Sequence, residues 1–208
     1  MCQTAAVSES LENLMNKFWE REDGRSFSNN SIEEAECKEH FVRSVKRNED
    51  GRYMVGLPKS DEALARLGES KSTAMQRLKM LERRLGRDRT LKNEYHAFMA
   101  EYLAQGHMKK VVNDHTSSSI VSYYLPHHPV IKNSSTTTRV RVVFDASSET
   151  STGMSLNDAL LNGPVLQDDL RSIIMRSRLY PIVLIADVEK MFRQVLIDPA
   201  DLPLQKII

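Results

Sequence analysis

Cysteine occurs only twice in the 208 residues, at Cys2 and Cys37. Two thiols so far apart build neither a disulfide framework nor a zinc site, so both are expected to be free. Glycine (8) and proline (7) are too sparse for collagen-like or low-complexity sequence. No stretch reaches the roughly 18 consecutive apolar residues of a membrane span, and residues 1–10 lack a basic leader followed by an apolar core. The expectation is therefore no membrane partner and an intracellular, reducing compartment. An excess of one charge is missing as well: 29 Lys and Arg against 28 Asp and Glu leave a formal charge of +1. Nucleic-acid binding does not follow from the whole-chain charge.

What is present is an ordinary globular composition, 40% hydrophobic and 27% charged, in a length that fits one large or two small domains. The charges are unevenly spread. Residues 1–50 hold seven Lys and Arg against eleven Asp and Glu, whereas residues 71–110 hold ten against four. The second stretch reads as helical, so Lys71, Arg77, Arg83, Arg84 and Arg87 form a candidate phosphate-binding surface. The simpler alternative is a solvated helix face.

Ser31 followed by Glu33, Glu34 and then Phe41, Val42 and Val45 predicts a capped helix with an apolar face near its end. Asp50-Gly51 predicts a turn into a short strand over Arg52–Pro58. Ala74, Leu78, Leu81 and Leu85, then Leu91, Tyr95, Phe98, Met99 and Tyr102, predict two helices separated near Gly86, with Gly106 ending the second. Beyond Gly106 the period changes. Ser122–Pro126, Pro129–Lys132 and Thr138–Asp145 read as antiparallel strands, with the polar run Asn133–Thr137 as a hairpin loop. Asp168–Leu179 reads as a helix with Leu170, Ile173, Ile174 and Leu179 on one face. Ile182–Asp187 reads as a buried central strand ending on a carboxylate, against which Arg193–Ile197 is expected to pair. The fold class expected is α+β.

The strongest chemical signal is Asp187, within Ile185-Ala-Asp187-Val-Glu-Lys-Met-Phe192-Arg-Gln. A carboxylate at the end of a buried apolar strand requires a cation, a metal or hydrogen-bond donors. Taken alone, a turn-capping aspartate is the simpler reading. Upstream, Lys132, Arg139 and Arg141 place cations around a hairpin where a triphosphate can be held. Asp168-Asp169 is better read as helix capping, and His127-His128 as a structural loop or polar contact, because no zinc spacing accompanies the histidines.

The ordered set Tyr-Leu-Pro-His-His-Pro-Val-Ile-Lys132, Thr138-Arg-Val-Arg-Val-Val-Phe-Asp-Ala-Ser-Ser, Ser155-Leu-Asn-Asp-Ala-Leu-Leu-Asn-Gly-Pro164 and Ala186-Asp-Val-Glu-Lys-Met-Phe-Arg-Gln194 resembles the start of a reverse transcriptase. In particular it resembles the BEL/Pao class of LTR retrotransposon polyproteins. Phe18-Trp19-Glu20, Gly51–Pro58, Leu81–Leu85 and Tyr95–Met108 resemble the segment before the polymerase core, so the likeness runs over about residues 18–208. It implies an uncertain N-terminal stretch at 1–17, a mainly helical pre-fingers region at 18–110, and the fingers and start of the palm of a right-hand polymerase at 111–208. By the same resemblance Asp187 is the first catalytic, metal-holding aspartate, and the carbonyl of Val188 adds a ligand for Mg²⁺ or Mn²⁺. Phe192 is the aromatic gate that excludes a ribose 2′ hydroxyl, and Lys132 with Arg141, or alternatively Arg139, grips the incoming nucleotide. The resemblance places Asp145 in the fingers, where it is expected to organise a turn rather than hold a metal.

The implied partners are an RNA or DNA template-primer and deoxynucleoside triphosphates, and the implied location is a cytoplasmic particle or the nucleus. The family's later Tyr-x-Asp-Asp motif is missing from these 208 residues. A lone aspartate does not hold two Mg²⁺ ions, so the chain is expected to be a truncated, polymerase-inactive piece of an active parent. The competing expectation is a non-catalytic nucleic-acid-binding or interaction module that uses the basic stretch 71–110.

Overall fold

The computed structural model describes residues 31–111, 121–135 and 138–208. Cys2, the stretch 1–17, the Phe18-Trp19-Glu20 motif and Thr136-Thr137 of the expected hairpin loop lie outside the described residues. Within them the chain is a mixture of helices and small sheets, which agrees with an α+β class at that level. None of the described helices is long and apolar enough to cross a membrane.

Helix α1 (Ile32–Ser44) begins as its sequence predicts. The Ser31 hydroxyl accepts from Glu34 N at 3.1 Å and the Glu34 carboxylate accepts from Ser31 N at 2.8 Å, a reciprocal cap worth about 1 kcal/mol. Its expected apolar face is not covered, and Phe41 and Val42 are exposed. Strands β1 (Lys46–Arg47) and β2 (Tyr53–Val55) follow as an antiparallel pair. They turn through Gly51, whose φ of 77° suits a residue without a Cβ.

After the short α2 (Asp61–Ala65) come the two long helices, α3 (Lys71–Arg87) and α4 (Arg89–Ala104). The break falls at Asp88 rather than at Gly86, because the Asp88 carboxylate accepts from Leu91 N at 2.9 Å and caps α4. Gly106, at φ 72°, lies just past the end of α4, where a left-handed residue commonly ends a helix.

Strands β3 (His127–Ile131) and β4 (Val140–Phe144) form the expected hairpin, in register His127 with Phe144 through Ile131 with Val140. The third expected strand, Ser122–Pro126, is not one: Tyr124 makes a single bridge to Lys206. Beyond α5 (Leu156–Ala159) and α6 (Leu170–Ser177) the chain runs through a one-turn helix α7 (Met191–Gln194), β5 (Leu196–Ile197) and a 3₁₀ turn at Leu202–Gln205.

Two buried clusters hold this together. One gathers Leu64 of α2, Tyr123, Leu156 of α5 and Leu204, with Tyr123 fully buried. The other packs Leu81 and Leu85 of α3 and Leu91 and Tyr95 of α4 against Val140 and Val142 of β4. Phe144 touches both, so the hairpin joins the two clusters. Gly68 is required by close approach: a Cβ there would meet Ser151 Oγ at 2.5 Å and Thr152 N at 2.8 Å.

Two expectations fail together. Ile182–Asp187 is neither a strand nor buried; Leu184 and Ile185 are 91% and 96% exposed. Its expected partner, Arg193–Ile197, is occupied elsewhere, because β5 pairs in parallel with β2 through Met54–Leu196 and Val55–Ile197. An extended apolar run becomes a buried strand only when neighbours take its N–H and C=O groups and cover both faces, and no described residue does so. Helix α6 shares this fate. It spans less than the predicted 168–179, and Leu170, Ile173, Ile174 and Leu179 are exposed.

Candidate functional site

Asp187 sits in irregular chain, not at a strand end, and its side chain is exposed. Its Oδ1 accepts from the N–H of the next residue, Val188, at 2.9 Å. Phe192, on α7, is 87% exposed, so it is not a core residue. Between them Lys190 has the left-handed φ of 52°, a conformation that costs a non-glycine residue about 1 kcal/mol or more.

What holds this turn is the upstream helical region. Lys190 Nζ donates to Glu101 Oε1 at 2.8 Å and to Gln105 Oε1 at 3.1 Å, both on or just past α4. The Arg193 guanidinium lies over the rings of Tyr102 (4.8 Å) and Phe98 (5.4 Å). From the strand side, Arg52 donates through Nη2 to the Arg193 carbonyl at 2.7 Å and through Nε to the Gln194 carbonyl at 3.2 Å. These are carbonyls that the single turn of α7 leaves open. The hydrogen bond from Lys190 holds the Glu101 carboxyl below the usual carboxylate range. His107 packs on Tyr102, with ring centroids 5.2 Å apart, and its Nδ1 is buried without a partner among the described residues. Desolvation, and then the charges of Arg193, Lys190 and Arg52, keep its pKa below the ordinary value.

The fingers cations divide. Arg139 is not on a shared strand face with Arg141, as alternation predicts, because β4 begins at Val140 and the alternation does not extend to the bend before it. Instead Arg139 forms a two-pronged pair with Glu94 of α4, Nη2 to Oε2 at 2.7 Å and Nε to Oε1 at 3.1 Å. Arg141 is exposed on the outer face of β4 and Lys132 is exposed just after β3. Neither has a carboxylate partner among the described residues, and no hydrogen bond, ion pair or ring contact joins either to Asp187–Phe192.

One face of α4 therefore serves two distant segments. Glu94, Phe98, Glu101, Tyr102 and Gln105 follow one another at spacings of four, three, one and three, which aligns them on a single stripe. The N-terminal end of the stripe holds Arg139 at the base of the hairpin loop, and the C-terminal end holds Lys190 and Arg193. Sequence reasoning used Phe98 and Tyr102 only as apolar packing and missed Glu94, Glu101, Gln105 and Arg52. The polar members of the stripe were the available signal.

The remaining readings also find places. Asp145 organises a turn, accepting from Ser147 N at 3.0 Å and Ser147 Oγ at 2.6 Å. Asp168 and Asp169 do not cap α6 through their side chains; they face Arg176 (3.0 Å) and Arg171 (3.9 Å). His127 is buried in β3, with Nδ1 hydrogen-bonded to the Tyr95 hydroxyl and Nε2 3.3 Å from the Ile208 carbonyl. A carbonyl only accepts, so Nε2 carries the proton and the Tyr95 O–H donates to Nδ1. Burial lowers the His127 pKa and raises that of Tyr95 to about 12.

Of the basic surface, Arg83, Arg84 and Arg87 come together around a cleft at the C-terminal end of α3, with Arg77 on the flank of that face. Lys71 is turned away, its Nζ 5.4 Å above the ring of Tyr124.

No set of three His, Cys, Asp or Glu side chains among the described residues is arranged to hold a metal ion. Asp187 offers one carboxylate, with one oxygen already engaged by Val188 N, so the described residues do not by themselves fit a pair of Mg²⁺ or Mn²⁺ ions. No family model matches the chain, and no curated protein or solved structure matches it at a significant level.

Proposed function

We propose that this chain carries the pre-fingers, the fingers and the first palm motif of a BEL/Pao-type reverse transcriptase, an RNA-directed DNA polymerase of right-hand architecture. The observation that carries the reading is the ordered motif set from Tyr124 to Gln194, taken with the single face of α4 that holds both the hairpin base and the Asp187–Gln194 turn. In this reading Lys132 and Arg141 engage the phosphates of the incoming deoxynucleotide, and Arg139 braces the hairpin through Glu94. Phe192, free of core contacts, excludes a 2′ hydroxyl. Asp187 is one of several carboxylates of the site, with the others contributed from outside these 208 residues, and Val188 contributes its carbonyl there.

The test is primer extension on a template-primer by this chain joined to the remaining palm of an intact element. Asp187→Asn is expected to remove essentially all synthesis and to leave template-primer affinity nearly unchanged, because affinity comes from many phosphate contacts. Phe192→Val is expected to admit ribonucleotides. Synthesis that survives Asp187→Asn overturns the assignment.

A second reading is favoured by one observation: Arg83, Arg84 and Arg87 line a cleft and none pairs with a carboxylate among the described residues. In it the chain is a non-catalytic nucleic-acid-binding module. Binding without synthesis in the joined polypeptide would select it.

A further inference from the structure

Helix α3 is divided lengthwise. Its inner side buries Ala74, Leu81 and Leu85, and at 100° per residue Met80, Arg83, Arg84 and Arg87 fall within about a 100° arc on the other side. Arg83 and Arg87 are four residues apart and Arg84 and Arg87 three, so their like charges face one another at a cost of a few tenths of a kcal/mol per pair. Cations in a last helical turn complement the helix dipole, but that explains Arg84 and Arg87 singly and not the crowding of three. An anion placed among them relieves the repulsion.

Arg83, Arg84 and Arg87 line an open cleft of about 410 Å³. The rest of its lining is mostly apolar: Met80, the almost fully buried Leu91 at the start of α4, and Ile131 at the end of β3. Asp88, the carboxylate on the lining, is engaged by the N–H of Leu91. Donors for phosphate beside an apolar lining suit a strand whose bases are unpaired, because a duplex presents its backbone but keeps its bases stacked away from such a lining.

We propose that this cleft binds single-stranded nucleic acid, with phosphates on Arg83, Arg84 and Arg87 and a base or sugar against Met80 and Ile131. The proposal rests on the nucleic-acid reading of the basic helix and narrows it to one face. It does not depend on Asp187.

The experiment is fluorescence anisotropy of the full chain with a labelled oligothymidylate, the same strand made abasic, and a duplex of equal length, each over a range of salt. The unaltered chain is expected to prefer oligothymidylate over both other probes. Replacing Arg83, Arg84 and Arg87 together with alanine should weaken that binding at least about tenfold and reduce the salt slope by about 2, the value for three lost single-strand phosphate contacts. These side chains are exposed, and helical circular dichroism checks that the variant folds. Met80→Glu, at another exposed position, should weaken binding by placing a carboxylate in the apolar lining.

If the triple variant binds normally while Lys71→Ala with Arg77→Ala loses binding, the cleft is overturned and the broader reading of the helix stands. No binding by the unaltered chain overturns both. Equal affinity for the abasic strand, or tighter binding of the duplex, overturns the seating of a base in the cleft.

Discussion

The β4 strand, Val140-Arg-Val-Val-Phe144, and the run Ile182-Val-Leu-Ile-Ala186 are equally short, and the second is the more apolar, yet the first is packed and the second lies open. The difference is in partners. In β4, Val140 and Val142 alternate with Arg141 and Val143, so one face meets α3 and α4 while the other tolerates water, and β3 takes its hydrogen bonds. A continuous apolar run has no face to give to water and needs neighbours on both sides. Hydrophobicity drives a segment out of water, but it becomes a strand only where partners for its backbone exist.

The largest test of this contrast is a pair of truncations. Leu91→Ala, in the cluster that carries the hairpin, should cost about 2 to 5 kcal/mol, because the side chain is almost fully buried and the cavity left behind adds to the lost transfer energy. Ile185→Ser, in the open run, should stay within about 0.5 kcal/mol and reduce self-association, since it removes apolar surface already facing water. Urea midpoints read both. Equal losses would mean that the run is covered in solution and would break the comparison.

The next test concerns the bracket between the two regions. Arg52→Ala removes two charge-assisted bonds to the carbonyls of Arg193 and Gln194, and Arg193→Ala removes the cation stacked on Tyr102 and Phe98. Each should loosen the turn 189–195 by on the order of 1 to 3 kcal/mol and leave the hairpin unchanged. Amide hydrogen exchange reads this as faster exchange confined to residues 189–195, roughly tenfold for every 1.4 kcal/mol. If the turn exchanges at the same rate in both variants, α4 does not hold it, and the open region is independent of the packed one.

The elements legible in the sequence are those whose cause is local. The Ser31 cap, the Gly51 turn, the end of α4 near Gly106 and the Asp145 turn each depend on residues within three or four positions. The hairpin was legible too, because its alternation and its loop are contiguous. The site was legible only as a set of residue names. Lys190 meets Glu101 across 89 residues and Arg52 meets Arg193 across 141, and no periodicity announces such pairs. The strand expected at Ile182–Asp187 failed for the same reason: composition reported its appetite for burial, whereas whether neighbours cover it depends on residues distant in the sequence.

The smallest effect separates the regions by pH. His127, in the packed region, and His107, beside the turn, both have folded pKa values below the ordinary 6.5, each chiefly through desolvation. Above that value both states are neutral and the stability is fully present. As the pH falls through it the unfolded chain takes up protons that the folded chain refuses, so stability must decline on the acid side. His127 donates to the Ile208 carbonyl and accepts from Tyr95, so its protonation removes an acceptor inside the core and should appear as a loss of global stability. His107 faces Arg52, Lys190 and Arg193, with Glu101 the nearby carboxylate, so its protonation adds a fourth cation to the bracket and should appear first as local opening. Urea midpoints at about pH 7.5 and about pH 5.5 should therefore differ less in His127→Gln than in the unaltered chain. Exchange at residues 189–195 should lose its acid sensitivity in His107→Gln. If His107→Gln flattens the global midpoints and leaves the turn's exchange as pH-dependent as before, the bracket belongs to the same cooperative unit as the hairpin, and the boundary drawn between the two regions is wrong.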